Sequence, residues 1–277
     1  MLEQTKSQAV NRTDFWIIAD FISFFLTIFV NYLGGSGLIN DMSQQEVSAK
    51  YTTLITPAGF AFSIWGVIYT LVLITLTYLA FKRDDKKIMH TISLISPLFI
   101  VSCLFNMGWI FSFSYELIGL SVVMIFILLL ALMKLIEKIN YNSKNISYNL
   151  PAYAFTLYAA WVLIATFLNI SIFLVKIGWD GFGISDSVWS LVVIIIAIVF
   201  VVGYVFMYKN AFFPISIAWA FYGIYSNYEE GVHSPELVTS IKAVLLAGLA
   251  ILVVSAIYRF VRNKNSIFPK DLNSQNQ

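Results

Sequence analysis

YTTLITPAGFAFSIWGVIY, residues 51–69, opens polar, passes Pro57 and Gly59, and then turns into a run carrying Phe60, Phe62, Trp65 and Tyr69. Trp65 and Tyr69 stand one helical turn apart, so the stretch reads as a loop that hands an aromatic face to a helix. Two explanations fit it. Aromatic side chains favour headgroup depth in a bilayer and proline is tolerated in the first turn of a helix, so a plain membrane-interface start accounts for the pattern. By itself the stretch favours that explanation; a ligand-facing loop needs other helices to bring matching groups to it.

Outward from that stretch the chain is apolar almost throughout. Of its 277 residues 59% are hydrophobic and 12% charged, and the mean hydropathy is +0.81. A soluble domain cannot hide that much apolar side chain, whereas a bilayer solvates it. Spans of about 20 apolar residues cross a hydrocarbon core about 30 Å thick. Eight are expected, at 15–33, 60–81, 92–112, 116–136, 152–174, 188–208, 212–228 and 237–259. The fold class is therefore all-α, a polytopic transmembrane bundle of about eight helices. The first span is longer than a signal-peptide core, carries Asp20 and lacks an A-x-A cleavage pattern, so it reads as a retained helix.

Charge orients the bundle. With the N-terminus inside and eight crossings, all of the 17 Lys and Arg residues except Lys50, Lys176 and Lys242 fall on the inner side, as the positive-inside rule demands. Omitting the short seventh span, FFPISIAWAFYGIYSNY, would put the basic C-terminal tail outside, so the charge pattern argues for keeping it. Both termini are then expected in the cytoplasm, with the plasma membrane as the location. A net charge of +2 with no dense basic run excludes nucleic acid as a partner and leaves the lipid bilayer. Cys103, the single cysteine, lies inside a span; it allows no intramolecular disulfide and no cysteine metal site, and is expected to pack as a small apolar residue.

Two later spans carry amides beside tryptophan. LFNMGWIFSF places Asn106 and Trp109 at i, i+3; LYAAWVLIATFLN places Tyr158, Trp161, Ala165 and Asn169 at i, i+3, i+7 and i+11, one stripe of a helix. An amide in hydrocarbon is costly unless paired, so Asn106 and Asn169 are expected to face protein, a ligand or trapped water. At about 1.5 Å per residue, Trp65, Asn106 and Asn169 fall roughly 7–9 Å below the outer surface of the hydrocarbon core, where they can meet at one level. Trp161 lies deeper, as a pocket floor or core residue. A ligand pocket and plain interhelical hydrogen bonding both remain open readings of this set.

Other features are weaker. Asp20, Thr27 and Asn31 form a polar stripe at i, i+7 and i+11 on the first span, and an intramembrane acid is a functional candidate. Trp219, Tyr222 and Ser226 share a face and either extend a pocket or pack the bundle. Trp16, Trp179 and Trp189 read as an aromatic belt. Glu229 and Glu230 near His233 read as solvated loop charges rather than a metal site, and GWDGFGIS as a turn rather than a phosphate cradle. No nucleophile is assembled with a base and no metal with an activated water, so neither catalytic nor metal-binding residues are assigned.

The order of these features resembles the TspO/MBR family, the tryptophan-rich sensory proteins that include the translocator protein. Members carry a T-P-P-x-W-x-F…W-x-x-L-Y segment after a long loop, L-N-x-x-W on a third helix, and Y-x-x-W…A-x-x-L-N on a fifth. This chain offers Thr56, Pro57, Phe60 and Phe62 with Trp65 and Tyr69, then Leu104, Asn106 and Trp109, then Tyr158, Trp161, Ala165, Leu168 and Asn169. It departs from the pattern in four places. Ala58 stands for the second proline, Phe60 where Trp is common, the Phe62 to Trp65 spacing is one residue short, and Phe105 intervenes between Leu104 and Asn106.

The resemblance covers about residues 15–174. It implies an inner segment 1–14, a five-helix bundle 15–174, three additional transmembrane helices at 175–260, and a polar cytoplasmic tail 261–277. It further implies a site for a hydrophobic planar small molecule of the porphyrin or tetrapyrrole class, a ligand rather than a cofactor, with the protein acting as sensor, carrier or scavenger. The expected ligand-binding residues are Pro57, Phe62, Trp65, Tyr69, Asn106, Trp109, Tyr158, Trp161 and Asn169. Helix dimers are common among such relatives, which adds a homodimer to the expectations, although no motif here requires one. A secondary transporter or permease subunit for a small solute, coupled through Asp20, is the alternative function.

Overall fold

The computed structural model describes residues 2–142, 149–228 and 234–268, with side chains from residue 12 onward. Its helices are α1 (Leu2–Gly35), α2 (Gln44–Lys50), α3 (Ile64–Phe81), α4 (Lys86–Ser114), α5 (Ile118–Tyr141), α6 (Asn149–Lys176), α7 (Asp186–Tyr208), α8 (Pro214–Ser226) and α9 (Pro235–Arg262); among the described residues there is no strand. Seven of them, α1 and α3 to α7 with α9, are long and apolar enough to cross a membrane. Helix starts follow local chemistry. Asp85 Oδ1 accepts from the backbone N–H of Lys87 (2.7 Å) and Ile88 (3.2 Å) ahead of α4, and Pro214 and Pro235 open α8 and α9 where a missing N–H costs nothing.

The chain divides into two compact units, residues 1–44 with 66–159 and residues 45–65 with 160–277, so the division falls inside α3 and inside α6. In the first unit α4 packs against both α1 and α5. α1 and α4 run parallel, because polar pairs join them in the same order along both helices. Asp14 meets Arg83 just before α4 begins (3.5 Å), Asp20 accepts from the Ser96 hydroxyl (2.6 Å), and Asn31 donates to Asn106 (2.6 Å). Cys103 is buried, as expected, and faces Thr27 between the last two pairs.

In the second unit the C-terminal ends of α7 and α9 lie side by side. Arg259 Nη2 donates to the Phe206 carbonyl (2.7 Å), Asn263 Nδ2 to the Lys209 carbonyl (2.7 Å), and the Ala211 N–H to Ile267 (2.9 Å). Further back along both helices Gly248 of α9 sits against Ile198 of α7, where a Cβ would come within 2.7 Å of Ile198 Cδ1. The two helices are therefore parallel, and the chain between them has to return to the far end. α8 makes that return: Phe213 just before it packs on Tyr204 near the end of α7 (4.0 Å between centroids), and from Trp219 to Tyr228 the chain meets Leu54 to Ala61. Its 13 residues span only about 20 Å, which is why the expected 212–228 segment falls short of the length that defines the other seven.

Candidate functional site

The aromatic stretch at residues 51–63 folds as a strap. Residues 51–58 run without regular helix, Gly59–Ser63 make a single 3₁₀ turn, and α3 starts at Ile64. α8 and the two residues that follow it hold the strap by four hydrogen bonds. The Tyr228 hydroxyl donates to the Leu54 carbonyl, Asn227 Nδ2 to Thr56 (3.1 Å), the Ala58 N–H to Gly223 (3.0 Å) and the Trp219 indole N–H to Ala61 (2.9 Å). Close approach depends on Gly223, where a Cβ would lie 2.7 Å from Ala61 Cβ and 3.1 Å from Pro57 Cβ. Ala58 now has a physical reason: a proline there would have no N–H to give to Gly223.

Beneath the strap, in the same unit, Trp161 of α6 is 2% exposed. Phe62 and Trp65 stand on it edge to face, with centroids 6.4 and 6.2 Å away and interplanar angles of 86° and 89°. Its indole N–H is buried with no acceptor. A buried donor left without a partner costs roughly 1–3 kcal/mol, so this atom stands out in a region otherwise apolar. An adjoining narrow crevice is walled by Ile55 and Pro57 of the strap, Ile164, Phe167 and Leu168 of α6, Val193, Ile194 and Ala197 of α7, and Phe221 and Ile224 of α8. Trp161, Ile164 and Leu168 follow i, i+3, i+7 and share a face of α6. Asn169 is 2% exposed on the same helix.

The other expected site residues belong to the first unit and make a closed polar cluster. Asn106, fully buried, receives a hydrogen bond on Oδ1 from Asn31 (2.6 Å) and donates through Nδ2 to the hydroxyls of Tyr158 (3.0 Å) and Tyr69 (3.4 Å). Tyr69 in turn donates to Asn31 Oδ1 (3.0 Å), and its ring meets Tyr158 edge to face at 6.2 Å. Both ends of the Asn106 amide are thus taken by protein groups from α1, α3 and α6. Trp109 is buried one turn further along α4, tilted against Phe113 (6.0 Å).

Nine expected residues therefore fall into two sets, Tyr69, Asn106, Trp109 and Tyr158 in one unit and Pro57, Phe62, Trp65, Trp161 and Asn169 in the other. Three contributors were not among them. Asn31 completes the amide cluster, and its signal was the stripe shared with Asp20 and Thr27. Gly223 and Trp219 anchor the strap from α8, and of the two only Trp219 is conspicuous in the sequence. Trp179 of the loop and Trp189 in the first turn of α7 pack on each other (5.1 Å), and the Trp189 indole N–H bonds Gly181 in the GWDGFGIS turn. Glu229, Glu230 and His233 lie outside the described residues.

Seven membrane-length apolar helices and buried polar clusters within the bundle define a multi-pass integral membrane protein. No curated protein and no solved structure matches the chain. The family model of TSPO-like proteins matches residues 17–258, and the chain belongs to that family. The match takes in α7, α8 and most of α9, so it extends well past the 15–174 stretch on which the resemblance was read.

Proposed function

We propose that this protein binds a flat, apolar small molecule of the tetrapyrrole class beneath the 51–63 strap and acts as its sensor, carrier or scavenger. The observation that carries the reading is the Trp161 indole: a buried donor without an acceptor, flanked by two aromatic rings and adjoining an apolar crevice. Flat rings stack on aromatic faces, and one or two convergent polar groups set their orientation. The crevice supplies an apolar wall beside Trp161 and Trp65 rather than a cavity that encloses a ring, so the strap has to lift from α6 as the ligand enters. Pro57, Phe62, Trp65 and Trp161 make the contacts; Asn169 lines the same helix. Tyr69, Asn106, Trp109 and Tyr158 support the bundle rather than touch the ligand.

The test is a titration of the purified protein with protoporphyrin, read by quenching of tryptophan fluorescence. Trp65→Ala is expected to weaken binding several-fold, and an unchanged titration would remove the strap from the site.

A second reading, a solute carrier coupled through Asp20, draws support from the side chain itself. Asp20 is 2% exposed, one carboxylate oxygen accepts from Ser96, and the other has no partner. Asp20→Asn is then expected to abolish pH-dependent uptake into proteoliposomes while porphyrin binding persists; uptake that survives the change discards this reading.

The return path of α8 and the distribution of Lys and Arg together support both termini on the cytoplasmic side of the plasma membrane. Since Cys103 is buried, a cysteine introduced at Ser266 provides a label site without background: an impermeant maleimide is expected to miss it in intact cells and reach it after lysis.

A further inference from the structure

The loop between α6 and α7, residues 177–185, carries an apolar tip that ligand binding under the strap does not use. Its backbone is held by a set of short bonds. Asp180 accepts the Phe182 N–H on Oδ1 (3.0 Å) and the Gly183 N–H on its carbonyl (3.1 Å). The Gly181 carbonyl takes the Ile184 N–H (3.1 Å) and the Trp189 indole N–H (2.9 Å). Gly181, Phe182 and Gly183 all hold positive φ, at 63°, 56° and 76°. For the two glycines that conformation is ordinary, whereas a phenylalanine in it is strained, and a third glycine would suit the turn better. The turn nevertheless presents a phenyl ring that is 79% exposed, edge to face with Trp179 at 5.3 Å. Ile177 and Ile184 of the same loop and Val188 in the first turn of α7 are exposed as well.

Tryptophan favours the membrane interface because its indole leaves an N–H among the headgroups. Phe182 and Ile184 have no polar atom to leave there, so an aromatic belt does not account for them. The exposed apolar surface also continues along α7. Val188, Ile195 and Val199 fall at i, i+7 and i+11, on one face of a helix long and apolar enough to cross a membrane, and all three are exposed. Hydrocarbon covers such a face in a bilayer, and the loop tip prolongs it. We propose that the Phe182–Ile184 tip inserts into the lipid leaflet at this end of the bundle and anchors the start of α7 there. Asp180 and Asp186, exposed on either side of the tip in the chain, stay at the headgroups.

The test uses the full-length protein in phosphatidylcholine liposomes, with a nitroxide spin label attached through Phe182→Cys, Ile184→Cys or, for comparison, Ser185→Cys. Cys103 is buried and does not compete for the label. Collisions with oxygen, which concentrates in hydrocarbon, are measured against collisions with a neutral nickel chelate, which stays in water. At positions 182 and 184 oxygen is expected to dominate, with nickel access severalfold below that at 185. Equal nickel access at all three positions overturns the proposal. So does an immobile label at 182 that neither reagent reaches, since a second copy of the chain or another protein would then cover the tip. Phe182→Gly tests the ring itself. Glycine accepts the left-handed turn, so melting in detergent is expected to hold or rise, while nickel access at a label on position 184 rises severalfold. Unchanged access in that variant would show that the ring anchors nothing. None of these outcomes depends on porphyrin binding.

Discussion

The two units solve the same problem in different ways. In the first, polar side chains inside the membrane are spent on one another: Asn31, Asn106, Tyr69 and Tyr158 close a cluster in which the Asn106 amide is used at both ends. In the second, the strap is tied down by α8 while the Trp161 N–H beneath it is left without an acceptor. An amide in hydrocarbon draws attention in any sequence, yet a satisfied amide holds helices together and has little left for a ligand. A leftover donor among aromatic rings is the better marker of a site.

That contrast can be broken most forcefully at Asn106. Asn106→Leu removes the hydrogen bonds with Asn31, Tyr158 and Tyr69, and should lower stability by about 1–3 kcal/mol, since intramembrane hydrogen bonds average below 1 kcal/mol each. Denaturant titration in mixed micelles measures this, and porphyrin affinity should be preserved in the folded fraction. Gly223→Val comes next. Its Cβ would press on Ala61 and Pro57, so the strap should lift from α8 at a cost of about 1–2 kcal/mol, with strap cleavage by protease rising and ligand affinity falling. Ala58→Pro removes a single hydrogen bond to Gly223 and should cost about 1 kcal/mol on the same assay. A proline better tolerated than alanine there would show that the strap tie contributes nothing.

Most of the helical frame was legible in the sequence because the bilayer imposes its own length on apolar runs. The expected span 188–208 is α7 at Asp186–Tyr208, and 237–259 lies inside α9 at Pro235–Arg262. α2, QQEVSAK, was not legible, since seven residues of mixed polarity carry no periodic signal. Which helix faces meet was legible only in part. Asp20, Thr27 and Asn31 repeat at i, i+7 and i+11, and Ser96, Cys103 and Asn106 at i, i+7 and i+10. These matched stripes mark two parallel helices, but neither stripe names its partner by itself. The strap's anchorage was hidden for another reason. Ala58 and Gly223 act through backbone atoms, and their side chains advertise nothing.

Trp161 is the proposed hydrogen-bonding partner of the ligand, and Trp161→Phe isolates that atom because the ring stays and the N–H goes. In a protoporphyrin titration of this variant the affinity should drop about fivefold while the melting temperature holds or rises, as expected when a buried donor without an acceptor is removed. Undiminished affinity together with a lower melting temperature would contradict this role, since it would make Trp161 a structural residue and place the ligand elsewhere.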